Sequence, residues 1–146
     1  MSADVFLASV RVPGRIESIR PAACFIVEAA RAVGVPAADD RLFEVAIVEA
    51  ITNAVEHNAR SGDAPLHCEF ELAGRRVTVR VLDEAARAPL AFAVPTGPAP
   101  WPQPTLESWE SIPESGYGLY LMRSVFPEIH PISRDGRHGI EMTLRF

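Results

Sequence analysis

The chain contains 146 residues, of which 48% are hydrophobic and 23% are charged, a composition typical of a folded globular domain rather than of a disordered tail. Its 14 Lys and Arg against 19 Asp and Glu leave a net charge of −5, which argues against nonspecific nucleic-acid binding, because that affinity needs surplus cations facing phosphate. No apolar stretch approaches the ~20 residues that span a membrane, and no signal peptide is visible, so we expect a single cytoplasmic domain over residues 1–146 with no membrane partner and no direct nucleic-acid partner.

The first half of the chain predicts one strand followed by two helices. A run of β-forming residues at 5–12 ends at a Pro-Gly pair and predicts the strand. Apolar residues at helical spacing predict a first helix over 17–33, with a glycine directly after it. Asp39 or Asp40 can then cap a second helix over 41–58.

The second half predicts two hairpins, one helix and a long proline-rich loop. Six of the sixteen residues 89–104 are proline, a density that no helix or central strand tolerates. A loop this long is usually a functional lid or a disordered segment. The regular elements are strands at 66–72 and 76–82, a helix at 119–125, and strands at 128–134 and 139–146. This order favours an α+β two-layer sandwich, in which three helices cover one face of a mixed, mostly antiparallel sheet.

Cysteine and histidine, which often carry chemistry, show no such pattern here. Cys24 and Cys68 lie in apolar runs, where we expect free thiols that pack as small hydrophobic residues rather than a disulfide. His67, His130 and His138 share no spacing with cysteines or carboxylates that would indicate a metal site.

The second predicted helix carries three polar residues on one side. Glu49, Asn53 and His57 are four residues apart, and each step of four turns about 40° around the helix axis. Most positions between 45 and 55 are otherwise apolar, so we expect the carboxylate and the amide at the margin of the core, where burial is costly without partners. The alternative is an exposed polar stripe on an amphipathic helix.

Two further features could contact a ligand. Asp83 follows a predicted strand, where a carboxylate can accept a hydrogen bond from a ligand amine or simply cap a turn. Gly116 and Gly118 precede the third predicted helix, where backbone N–H groups and the helix dipole favour an anion. The alternative for these glycines is a flexible joint.

Together these features resemble the GHKL (Bergerat-fold) ATPase superfamily. The shared order is E-x-x-x-N on a helix, an Asp after a hairpin, a long loop, and S-G-x-G-L at the start of a helix. Within the superfamily, the string EAITNAVEH at 49–57 is most similar to the anti-sigma factor serine/threonine-protein kinases of bacteria. The resemblance covers essentially the whole chain and implies the Bergerat fold, with ATP and Mg²⁺ as cofactors.

The resemblance also implies a role for each candidate residue. Glu49 would be the general base that takes a proton from the attacking hydroxyl, and Asn53 would bind Mg²⁺ through its amide oxygen. His57 would lie near the phosphates, and Asp83 would bind the adenine amino group. Residues 89–114 would form the ATP lid. The second glycine box would bind the polyphosphate through Ser115, Gly116, Tyr117, Gly118 and Leu119.

Protein partners follow from the same resemblance. A member of this kinase family captures a sigma factor and phosphorylates a serine or threonine of a small anti-anti-sigma (STAS-type) protein, which regulates transcription. The resemblance further implies a homodimer.

One departure from the family pattern leaves alternatives open. The family reads D-x-G-x-G in its first glycine box, whereas this chain has alanine at Ala85 and arginine at Arg87 in place of the two glycines. A Cβ, and still more a long side chain, adds bulk where the backbone passes a ligand closely. The first alternative is therefore a catalytically weak or inactive binding module with the same fold. A further alternative, which does not rest on this departure, is an isolated histidine-kinase catalytic domain.

Overall fold

A computed structural model describes residues 4–58, 64–84 and 118–146 of the chain. The predicted lid at 89–114, together with Ser115, Gly116 and Tyr117, lies outside these residues. The elements, in chain order, are β1 (Val5–Val12), α1 (Ile16–Ala32), a short 3-10 helix (Pro36–Asp39), α2 (Arg41–Asn58), β2 (Leu66–Ala73), β3 (Arg76–Asp83), α3 (Gly118–Val125), β4 (Glu128–Arg134) and β5 (Arg137–Arg145).

The five described strands form one sheet in the order β1-β2-β3-β5-β4. Each neighbouring pair of described strands is antiparallel, which agrees with the predicted α+β class. The sheet was predicted to be mixed and mostly antiparallel, whereas every described pair is antiparallel. The pairing of β3 with β5 joins distant parts of the chain and places Asp83 opposite His138. This arrangement of sheet and helices is that of the Bergerat ATPase fold.

The helices pack on one face of the sheet and enclose the core. α1 lies over β1 and β2, α2 lies over β3, and α2 also contacts both other α-helices. Side chains alternate along each strand, so every second residue of β2 and β3 enters this core. The largest side chains that are almost fully buried in the core are Phe43, Phe70, Phe126, Ile26, Ile47 and Ile51.

Local signals account for most of the element boundaries. Asp40 caps α2, because its Oδ1 accepts a hydrogen bond from the Leu42 N–H at 2.9 Å, as expected for one of the two candidate caps. The other candidate, Asp39, ends a 3-10 helix that was not predicted. The turn between β4 and β5 consists of Asp135 and Gly136, with φ of 54° and 75°, conformations that aspartate and glycine adopt more readily than other residues.

The two cysteines have different surroundings. Both are free thiols, as predicted. Cys68 is buried, and this burial raises the pKa of its thiol to about 12, so it is an inert core residue. The prediction that Cys24 packs in the core was wrong, because its position on α1 is exposed. Within the described ranges, we find no helix of the length and apolar character that a membrane crossing requires.

A glycine in β5 allows the close approach of β5 to β3. Gly139 pairs with Leu82, and a Cβ at this position would lie 1.8 Å from the carbonyl oxygen of Val81. That distance is far inside van der Waals contact, so only glycine fits here without moving the backbone. The close approach occurs one residue before Asp83, which ends β3.

Candidate functional site

The first residue of α3 lies directly against two polar side chains of α2. A Cβ atom on Gly118 would lie 2.9 Å from Oε2 of Glu49 and 3.9 Å from Nδ2 of Asn53. The missing side chain of Gly118 therefore leaves room for the Glu49 carboxylate at the N-terminal end of α3. Two candidate residues of α2 and one candidate residue of α3, which is distant in the chain, thus form one cluster.

The carboxylate of Glu49 lies in a partly desolvated position. Its side chain is half-buried, and this burial raises the pKa of the carboxyl above its ordinary value; the nearby negative charge of Glu56 raises it further. A carboxylate with a raised pKa is a better proton acceptor than one in water. Glu49 therefore lies at the margin of the core, as expected. Asn53, on the same side of α2, is exposed, which agrees with the alternative of an exposed polar stripe.

Asn53 lies one helical turn beyond Glu49 and is exposed. Its amide can reach a ligand without any cost of burial. An amide oxygen is one of the hard oxygen donors that Mg²⁺ accepts, and Mg²⁺ usually takes its remaining ligands from phosphate and water. The chemistry of this residue fits the metal that the resemblance implies. Among the described residues, no group of three or more His, Cys, Asp or Glu could hold a metal ion by itself.

Asp83 lies at the end of β3, on the face of the sheet that carries the helices. It is only 2% exposed and pairs with Leu66 on β2 and His138 on β5. Alternation along β3 places it on the same face as the core residues Val79 and Val81, beneath the layer that contains α2. A buried carboxylate at a strand end is well placed to accept a hydrogen bond from a ligand.

The other predicted site residues are described less fully. His57 lies in the last turn of α2, but its side chain is outside the described part of the chain. Leu119 is partly buried and packs against the core, so its backbone N–H is the group that could contact a ligand. The structure therefore brings together Glu49, Asn53 and Gly118, with Asp83 on the adjoining strand.

Sequence reasoning missed Glu84, the residue directly after Asp83. Its carboxylate accepts hydrogen bonds from Nε and Nη2 of Arg11, at 3.3 and 3.0 Å, and also contacts Nε2 of His67. Nε of Arg137 lies 3.7 Å from Oε1 of Glu84. The hydrogen bonds from Arg11, and to a smaller extent the one with His67, lower the pKa of Glu84 to about 2. Its position beside Asp83 was the only signal in the sequence, because its three side-chain partners come from other strands.

The comparison with known protein families identifies the domain. The family described as the histidine kinase-like ATPase domain matches the chain over residues 12–146. The chain belongs to this family. The matched range contains every candidate site residue, and the predicted GHKL superfamily is thereby confirmed. Histidine kinase-like ATPase domains bind ATP, usually with Mg²⁺. No curated protein matches the sequence.

The raised pKa of Glu49 in this ATPase domain leads to an expected effect on stability. We expect Glu49→Gln to raise the melting temperature at pH 7.5 by roughly 3 °C, because the folded state disfavours the ionised carboxylate that the variant removes. The gain should disappear as the pH falls below the ordinary pKa of glutamate, where the carboxyl is protonated in both states. Thermal unfolding between pH 4 and pH 8 measures this.

Glu44→Gln is the matched control for this measurement. Glu44 is an exposed glutamate in the first turn of α2 and lies outside the cluster. We expect no gain for this variant, since a negative charge near a helix N-terminus is mildly stabilising. A Glu49→Gln protein that melts below the wild type at pH 7.5 would contradict a desolvation cost at Glu49.

Proposed function

We propose that this chain is an anti-sigma factor with ATP-dependent serine/threonine kinase activity toward a STAS-type anti-anti-sigma protein. Membership in the histidine kinase-like ATPase domain family supports the ATP-binding part of the proposal. The string EAITNAVEH at 49–57 supports the choice of this kinase family within the superfamily. Phosphorylation would inactivate the anti-anti-sigma protein and leave the sigma factor bound to this chain.

One observation carries the catalytic part of the proposal. A Cβ on Gly118 would lie within 4 Å of both Glu49 and Asn53, so a helix N-terminus, a carboxylate and a side-chain amide come together at one place. Phosphoryl transfer requires mainly positioning and neutralisation of charge, and this set of groups supplies both. Backbone N–H groups at the start of α3, together with its dipole, would face the phosphates.

The described residues can divide the reaction among them. Glu49 would accept the proton of the serine or threonine hydroxyl while that oxygen forms a bond to the γ-phosphorus. The bond from the γ-phosphorus to the bridging oxygen would break, and ADP would leave. Asn53 would hold Mg²⁺, which supplies positive charge to the phosphate oxygens. Asp83 would accept a hydrogen bond from the amino group of adenine.

The protein partners of this kinase are also part of the proposal. The chain would act as a homodimer and bind its sigma factor outside the nucleotide site. Apolar side chains on the edge strand β1 support a contact between proteins, since Val5 and Leu7, which share one face of the strand, are each 60% exposed. Neighbouring exposed apolar residues of this kind commonly mark interaction surfaces.

A second candidate function is a binding module that no longer turns over nucleotide. Ala85 and Arg87 favour it, because they replace the two glycines of the first glycine box. The intact cluster of Glu49, Asn53 and Gly118 favours the kinase.

The test is phosphate transfer from radiolabelled Mg·ATP to a small single-domain protein encoded beside this chain that carries a candidate acceptor serine. We expect label on serine or threonine, stable in acid. Acid-labile label on histidine would instead support an isolated histidine-kinase catalytic domain. ATP binding without transfer would support the binding module.

A further inference from the structure

Side chains from three strands meet at the carboxylate of Glu84. Arg11 is on β1, His67 is on β2, Arg137 begins β5, and Glu84 directly follows β3. Arg11 and His67 lie on the face of the sheet opposite the helices, because their neighbours along β1 and β2 pack in the core. Glu84 and Arg137 lie on the same face, because Asp83 and His138 beside them pair with each other on the helix face, in register with the core pair Val81 and Ile140. Hereafter these four residues are called the Glu84 clamp.

The Glu84 clamp differs from an ordinary surface ion pair. Arg11 donates two hydrogen bonds to the two oxygens of one carboxylate, an arrangement that restricts orientation as well as distance. Two further cationic or ionisable side chains, from β2 and β5, contact the same carboxylate. Single exposed pairs contribute little to stability, whereas bidentate geometry and networks of several charged groups can contribute more.

The Glu84 clamp lies at the end of β3, on the opposite face of the sheet from Asp83. The N–H of Glu84 donates a hydrogen bond to the carbonyl oxygen of Pro65 at 3.1 Å, which extends the pairing of β2 and β3 beyond Asp83. Successive residues of an extended strand point to opposite faces, so restraint of Glu84 on one face fixes the direction of Asp83 on the other. Gly139 adds to this restraint, because β5 approaches β3 closely one residue earlier.

We propose that Glu84 is a positioning residue, which holds the end of β3 so that Asp83 receives the amino group of adenine. This inference rests on the proposed function, in which Asp83 binds adenine. Ala85 replaces the first glycine of the first glycine box. In this inference Asp83 is held in place by the side chains of the Glu84 clamp, on the opposite face of the sheet, and does not depend on that glycine. Glu84 itself touches no nucleotide and acts through its neighbour.

The test compares two nucleotides that differ only in the adenine amino group. The probes are ATP and purine riboside triphosphate, each with Mg²⁺, and calorimetry on the full chain gives Kd for both. We expect the wild type to prefer ATP by roughly tenfold or more, since only ATP carries the amino group that donates a hydrogen bond to the charged carboxylate of Asp83. Asp83→Asn should abolish this preference.

Variants of the Glu84 clamp separate positioning from general stability. We expect Glu84→Ala to reduce the preference for ATP by about fivefold or more, while Kd for the analogue stays within about twofold. Glu84→Gln, which keeps only one of the two acceptor oxygens that Arg11 uses, should give an intermediate preference. A loss of stability alone would weaken the binding of both nucleotides equally. Melting temperatures show whether each variant is folded.

Glu71→Gln is the matched control. Glu71 lies on the same face of the sheet and pairs with Arg80 at 3.1 Å, but it is opposite Thr78, away from Asp83. We expect it to keep the wild-type preference. If the Glu84 variants also keep it while Asp83→Asn loses it, the positioning role is overturned and the adenine site stands. If the wild type binds neither nucleotide or shows no preference, the role of Asp83 in the proposed function fails, and the inference fails with it.

Discussion

Replacement of Glu49 by glutamine is expected to remove phosphate transfer and to preserve the binding of Mg·ATP. Glutamine keeps the size of the side chain beside Gly118 but cannot accept a proton from the attacking hydroxyl. Proton transfer by a positioned side chain typically contributes about 10²–10⁴ in rate, so we expect kcat to fall by at least about 100-fold. Kd for Mg·ATP should stay within about threefold, because the nucleotide is bound mainly through other groups.

The pH dependence of transfer gives a second readout for Glu49. Burial and the charge of Glu56 raise the pKa of this carboxyl. The transfer rate should therefore rise with pH at values above the ordinary pKa of a glutamate side chain. Glu44→Gln, on the exposed side of α2, should leave both the rate and the pH profile unchanged. Equal turnover in the wild type and in Glu49→Gln would exclude Glu49 as the base.

Replacement of Asn53 by alanine is expected to remove the dependence of ATP affinity on Mg²⁺. Asn53 is exposed, so its truncation leaves the core intact. The substitution removes the amide oxygen of Asn53, which is the protein ligand that we assign to Mg²⁺. We expect Kd for ATP in Mg²⁺ to rise by roughly tenfold, toward the value in EDTA, which calorimetry with and without the metal measures.

Asn53→Asp provides the matched control for the metal. Aspartate keeps an oxygen ligand of nearly the same length, which a hard cation accepts. This variant should therefore retain a Mg²⁺-dependent affinity. An unchanged Mg²⁺ titration in Asn53→Ala would contradict the assignment of Asn53 as the metal ligand.

The elements with strong local signals were predicted well. The structure confirms the bounds predicted for β1, α2 and β4, because hydrophobic period, capping and turn residues lie within each segment. The start of α1 was predicted one residue late, since Arg15 at its N-cap makes no side-chain hydrogen bond that would mark the boundary. The start of α3 was also predicted one residue late, because glycine is a poor helix former and Gly118 is nevertheless its first residue.

Long-range relations could not be predicted in the same way. The pairing of β3 with β5 connects segments on either side of residues 85–117, and no local pattern specifies it. The cluster of Glu49, Asn53 and Gly118 was expected from the resemblance to a family, not from spacing, because α2 and α3 are far apart in the chain. The Glu84 clamp was missed for the same reason, since its members come from three strands and from the residue that follows a fourth.

The most direct measurement is a crystal structure of the chain with Mg²⁺ and a non-hydrolysable ATP analogue. We expect Mg²⁺ on Oδ1 of Asn53, the triphosphate between Glu49 and the start of α3, and the adenine amino group on the Asp83 carboxylate. A nucleotide bound elsewhere, with no metal or phosphate contact to Glu49, Asn53 or the backbone at Gly118, would contradict the assignment of this site.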